Sequence, residues 1–287
     1  MFEIINTIIL ILVACICLAP IIHVIFASIS DPTLLTQSTG LILWPLSDAT
    51  HSLTTKGYQI VFANNSLIKG YANTIFYVGV GTTISVFLTS LGAYCVSRKK
   101  TMWLKYLMIM ITATMFFQGG LIPTYLIVKK CGMINTRWAL LIPQAIMVFN
   151  LIIVRTSFIS LPDSLEESAQ LDGAGHITIL IKIVMPLCKA TLAVIALFYA
   201  VQKWNEYFFA MIYLTNRDLY PLQIILREIL IESNQQSISY NTTATMDKYK
   251  TLVEYCTIVV ATLPILCIYP FIQKYFVTGV MIGSIKG

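Results

Sequence analysis

Glu167-Ser168-Ala169-Gln170-Leu171-Asp172-Gly173-Ala174, followed by Pro186, is the polar passage on which the reading of this chain turns. It lies in residues 160–189, a turn-containing segment set between hydrophobic runs. Ser160-Leu161-Pro162-Asp163 opens the segment. A hydroxyl residue three positions before an acid, with proline in the first turn, marks a helix start. Leu161, Leu165, Ala169 and, at the edge, Leu171 fall near one face of that helix, while Glu166 and Glu167 turn elsewhere. Gly173 then supplies the freedom for a sharp turn that a side chain would oppose. Ile177, Ile181 and Val184, at spacings of four and three, give a second helix an apolar face. Pro186 opens the next hydrophobic span. From the residues alone, two short amphipathic helices at an angle are either a plug that presses into a groove on a soluble partner or a surface loop lying on the membrane.

Outward from this passage the chain is apolar. Hydrophobic residues make up 57% of its 287 positions and charged residues 11%, and the mean hydropathy is +0.79. A soluble domain carries about 25% charged residues. Runs free of Asp, Glu, Lys and Arg cover 4–30, 70–97, 106–128, 138–154 and 255–273. A bilayer-spanning helix needs roughly 20 apolar residues, so each qualifies. A sixth run, near 190–214, is interrupted by Lys203 and Glu206. Six spans leave no room for a separate soluble domain, which predicts one all-α integral membrane domain over 1–287. The first run is too long for the apolar part of a signal peptide and no Lys or Arg precedes it, so it reads as a retained helix.

With both termini inside, the inner side holds Arg98, Lys99, Lys100, Lys105, Arg155, Lys182, Lys189, Lys274 and Lys286. The outer side holds Lys56, Lys69, Lys129, Lys130, Arg137, Arg217, Arg227, Lys248 and Lys250. That is an even count, so the excess of cations expected on the cytoplasmic side does not orient the chain; the tight Arg98-Lys99-Lys100 cluster favours the inside. The net charge of +6 suits a membrane protein near anionic lipid and implies no nucleic-acid partner. The seven cysteines include no C-x-x-C pair, and His23, His51 and His176 are far apart. Neither a metal site nor a disulfide framework is expected. No glycine-rich phosphate loop is present, so the chain is expected to bind no nucleotide itself and to be no enzyme.

Polar residues inside the spans are the candidates for a transport path. The third run carries Gln118-Gly119-Gly120 with Pro123 close behind; the backbone groups that such a break frees either line a cavity or sit in a packed kink. Asn150 in the fourth run is either interhelical glue or a cavity residue. Gln202, Lys203, Trp204, Asn205 and Glu206 crowd the fifth. Ionisable groups at membrane depth are costly and generally face a bundle interior or water. At helical spacing Gln202, Asn205 and Glu206 share a face, and Lys203 pairs with Glu206 at i,i+3. Tryptophan with amide and acid groups makes a sugar-facing set at the cavity or its outer mouth; the alternative is that the span ends early and these residues sit at the interface.

The Glu167–Ala174 passage with Pro186 resembles the E-A-A-x-x-D-G-A…P loop of permease subunits of ATP-binding-cassette importers. Phe116 to Tyr125, Pro186 to Ala190, Ala196 to Val201, Trp204-Asn205-Glu206, Tyr220 to Gln223 and Gly283 to Gly287 extend the resemblance. They are similar to the second permease of carbohydrate importers of the maltose type, and most of all to the branch of oligosaccharide permeases related to the polygalacturonan and lipoprotein-linked systems of Gram-positive bacteria. Ser168 stands where a second alanine is usual, and Ala190 where proline often follows the loop.

The resemblance implies a type I importer permease fold with six transmembrane helices, in a bacterial cell membrane, with both termini cytoplasmic. It implies that Glu167, Ser168, Ala169, Asp172, Gly173, Ala174 and Pro186 couple the chain to an ATPase. It implies that Gly283, Lys286 and Gly287 reach between the ATPases. The expected partners are a second permease in a heterodimer, two ATPase subunits that use ATP and magnesium, an extracytoplasmic sugar-binding protein and an oligosaccharide. A permease for a non-sugar solute and a secondary transporter are the competing readings.

Overall fold

The computed structural model describes residues 2–48, 52–98, 103–117, 119–236 and 249–267. Its long elements are helices. They are α1 (Phe2–Ile29), α2 (Pro32–Gln37), α3 (Lys56–Ala63), α4 (Asn65–Ser97), α5 (Leu104–Phe116), α6 (Leu121–Lys130), α7 (Trp138–Leu141) and α8 (Val148–Ile159). After these come α9 (Asp163–Leu171), α10 (His176–Leu187), α11 (Lys189–Trp204), α12 (Phe208–Tyr213) and α13 (Leu222–Gln236). The last is α14 (Tyr249–Cys267). Among the described residues, α1, α4 and α14 are each long and apolar enough to cross a membrane, and three bent helix pairs pass the same test together. Among the described residues, helix lies in each expected run: α1, α4, α5 with α6, α7 with α8, α11 with α12, and α14.

Local chemistry sets the boundaries. Asn64 separates α3 from α4, its side-chain oxygen accepting the Ser66 N–H at 3.0 Å, the self-bonding that makes asparagine a turn residue. Asp31 caps α2 by accepting from the backbone of Thr33 and Leu34. The third run breaks where glycine and proline predicted it would: α5 ends at Phe116, Gly120 takes φ 83° and α6 begins at Leu121. Gln118 lies outside the described residues. So do Gly283, Lys286 and Gly287, and the end of the sixth run beyond Cys267.

The chain divides into two compact units, residues 1–69 with 224–268, and a second built on 70–223. In the first, α1 is exposed along most of its length and buries only Ala27 and Ser28. Ser28 shares a hydrogen bond of 2.7 Å with the Tyr58 hydroxyl. His23 accepts the Ile42 N–H through Nδ1 at 2.9 Å, so its Nε2 carries the proton that faces the Tyr255 hydroxyl at 3.1 Å. His23 thus ties helix to loop. In the second unit, α4, α8, α9, α10 and α11 share one apolar core in which Val154, Phe158, Ile179, Ile195 and Tyr199 are fully buried. None of the seven cysteines forms a disulfide.

Candidate functional site

The polar passage forms an elbow of two helices. Asp163 and Glu166 place two carboxylates in the first turn of α9, where unpaired N–H groups favour negative charge. The cap expected from Ser160 is not made. Its hydroxyl donates to the Ser157 carbonyl at 2.7 Å and closes the end of α8, because the carbonyl three residues back is within easier reach than the first N–H groups of α9. At the other end, Ala174 N–H donates to Ala169 O at 2.9 Å and Gly173 N–H to Gln170 O at 3.0 Å. Gly173 takes φ 80°. This is the paired 6→1 and 5→2 closure of a helix through a left-handed residue.

The elbow buries one side and exposes another. Ala169, Ile179, Leu180 and Val184 enter the core. Leu171, Ile177 and Ile181 stay 89%, 68% and 48% exposed. Ile177 and Ile181 therefore do not share a buried face with Val184, as their spacing predicted. The turn Leu180–Val184 is a π-helix, whose extra residue per turn rotates Val184 out of register with the preceding turn.

The adjacent acids separate. Glu167, Ser168 and Asp172 are exposed, as is Pro186 in the last turn of α10. Glu166 turns inward, accepting from the Tyr94 hydroxyl and pairing with Arg98, both at the end of α4. The Arg98 guanidinium also lies over the Tyr94 ring, 4.6 Å from its centroid. Arg155 Nε reaches the Val96 carbonyl at 2.8 Å. The sequence reading missed this cluster. Its one signal was a charge at Arg98 closing an apolar run, which calls for a counter-ion but does not say which.

The fourth run is broken between α7 and α8 around Pro143, which has no N–H to extend a helix. Side chains of α11 occupy the freed groups. Tyr199 Oη accepts the Met147 N–H at 3.0 Å and shares a 2.7 Å bond with Thr89 of α4. Lys203, 1% exposed, donates from Nζ to the Leu140 carbonyl at 2.5 Å, and its charge and that of Glu206 also interact, as their i,i+3 spacing predicts. Gln202 donates to Gln144 Oε1 at 3.0 Å. Residues 199, 202 and 203 fall on one face at i, i+3 and i+4.

The face expected of Gln202, Asn205 and Glu206 is not formed, because α11 stops at Trp204. Asn205 turns back to the Val201 carbonyl at 2.9 Å, and Glu206 accepts the Phe209 N–H at the start of α12, at 3.3 Å. Asn150 is 1% exposed, its amide 3.8 Å from Met147 Sδ. Trp204 is buried, with Tyr71 at 6.4 Å between ring centroids. Trp204 Nε1 and Gln202 Oε1 are buried without a partner. Among the described residues no group of His, Cys, Asp and Glu side chains could hold a metal.

The sequence matches no protein-family model. It is 41% identical over 280 residues to the polygalacturonan/rhamnogalacturonan transport system permease protein YtcP of Bacillus subtilis, covering 97% of this chain and 96% of that one. It is 36% identical over 286 residues to the protein LplC of the same organism, covering 100% and 95%. Among solved structures it is similar to a chain in the crystal structure of a bacterial ABC transporter involved in the import of the acidic polysaccharide alginate. The TM-score is 0.85 and the identity 32%, with 96% of each chain covered.

Proposed function

The chain belongs to the permease subunits of ATP-binding-cassette importers of carbohydrates, and we propose on that premise that it forms half of the membrane path for an acidic oligosaccharide and is driven by an ATPase docked on the α9–α10 elbow. It is a transport component, and ATP is hydrolysed by a separate subunit. The second half of the path comes from a different permease, and an extracytoplasmic binding protein delivers the sugar.

One observation carries the docking: the elbow exposes Glu167 together with Leu171 at 89% and Ile177 at 68%. Large apolar side chains beside an acid, on helices fixed to the core from below, suit a protein groove with a basic residue at its edge. ATP closes the ATPases, the elbow follows, and the spans open the path outward; hydrolysis resets it. The acidic substrate is supported by the YtcP resemblance and by the alginate importer, since polygalacturonan and alginate are both polymers of uronic acids. Amides at the break, Gln144 and Gln202, suit sugar hydroxyls.

The test is Glu167→Ala in the co-expressed complex. Breaking one side of a partly buried ion pair costs roughly 3–5 kcal/mol, so ATPase subunits should be lost during purification and uptake should stop, with the permease still inserted. Unchanged ATPase retention together with unchanged uptake removes the reading.

A further inference from the structure

The elbow is joined through the chain to α8 on one side and, through α10, to α11 on the other. Its connection to α4 is non-covalent. The apolar part of that connection, the core that Ala169, Leu180 and Val184 share with Tyr94 and Val96, is non-directional and permits sliding. The polar part is directional. Glu166 offers one carboxylate oxygen to the Tyr94 hydroxyl and the other to Arg98, and its side chain is 13% exposed against 22% for Arg98. This ion pair bridges the elbow and the end of a span. Arg98 also retains buried donors at Nε and Nη2 without a partner.

We propose that Glu166, clamped by Arg98 and Tyr94, is the positioning residue that passes elbow movement to the second span, α4, leaving Glu167 to face the ATPase. The two neighbouring acids thus divide the work. The helical step from Glu166 to Glu167 turns the side chains about 100° apart, so one faces α4 while the other faces away. The planar guanidinium presents several donors in a fixed fork. As the elbow tilts, the carboxylate can shift from Nη1 to the unpaired donors while staying bonded, and α4 is drawn along with it. The proposal rests on the elbow being the coupling element.

The experiment compares Glu166→Gln, Tyr94→Phe, Arg98→Glu and the reversal Arg98→Glu with Glu166→Arg, all in the full complex with its binding protein. Glu167→Ala serves as the docking control. Sugar moved per ATP is measured in proteoliposomes with the glycan that co-purifies with the binding protein, and ATPase retention is measured alongside. Glu166→Gln should retain the ATPases while sugar per ATP falls by about fivefold or more, the factor that about 1 kcal/mol of lost coupling yields. Tyr94→Phe, which keeps the charge pair, should give a smaller fall. The reversal should recover most of what Arg98→Glu loses, a rescue that a purely structural contact with other neighbours would not give. Loss of ATPases from Glu166→Gln equal to that from Glu167→Ala makes Glu166 a docking contact and overturns the proposal. Full coupling in both Glu166→Gln and Arg98→Glu overturns it as well. If Glu167→Ala itself retains ATPases and transport, the elbow reading has failed rather than the division between the acids.

Discussion

Gly173 shows how a single residue's demand is separated into its causes. Its φ of 80° lies in the left-handed region, and nothing stands within 4 Å of where a Cβ would project. The constraint is therefore in the backbone and not in the space. A left-handed conformation costs an ordinary L residue about 1–2 kcal/mol, whereas asparagine visits it routinely. Gly173→Asn should accordingly keep near-normal ATPase retention and uptake. Gly173→Val, with a β-branched side chain at positive φ, should lose uptake while the permease remains inserted. Equal behaviour of the two variants in an uptake assay would show that the turn's handedness does not matter.

At the scale of elements, the informative feature is a span that does not run straight. The break between α7 and α8 leaves the Leu140 carbonyl and the Met147 N–H without helical partners, and α11 supplies both. Unmet backbone groups are intolerable in lipid, so α11 is what allows the fourth run to break at all. Tyr199 is fully buried, and removing its hydroxyl leaves Met147 N–H unpaired and Thr89 without its partner. A buried donor left unpaired costs about 1–3 kcal/mol. Tyr199→Phe should therefore lower the thermal midpoint of the detergent-purified complex by several degrees, with insertion preserved. An unchanged midpoint would mean that another acceptor satisfies Met147. Gly81 belongs to the same arrangement. A Cβ there would meet Leu141 at 3.2 Å and the Lys203 stem at 3.4 Å, so α4 passes close to the break because it carries glycine.

For the whole molecule, the exposed apolar surface is the guide. Phe2 is 83% exposed, Leu10 59% and Ile16 64% on α1, surface that belongs against lipid or another subunit. Leu171 and Ile177 on the elbow make the same demand for a cover. A chain so constructed is a part and not a machine. Purified alone and placed in liposomes, it should hydrolyse no ATP and move no sugar. With a second permease, the ATPases and the binding protein, uptake should depend on ATP. Sugar uptake by the single chain without ATP would place it outside this mechanism.

Much of this was legible in the sequence. Composition alone determined a membrane protein, and five charge-free runs with a sixth interrupted by Lys203 and Glu206 located the apolar segments, because burial in lipid requires length and apolarity whatever the neighbours are. The break at Gly119-Gly120 and the sharp turn at Gly173 were legible too, since glycine's freedom is local. The tertiary structure decided what depends on partners distant along the chain. That Glu166 and not Glu167 turns inward follows from Arg98 and Tyr94 on another helix. That α11 stitches the broken span follows from carbonyl and N–H groups freed many residues earlier, and that Gln202, Asn205 and Glu206 part company follows from α11 ending at Trp204. A periodic pattern records which faces are apolar, but a hydrogen bond between remote residues leaves no periodicity to read.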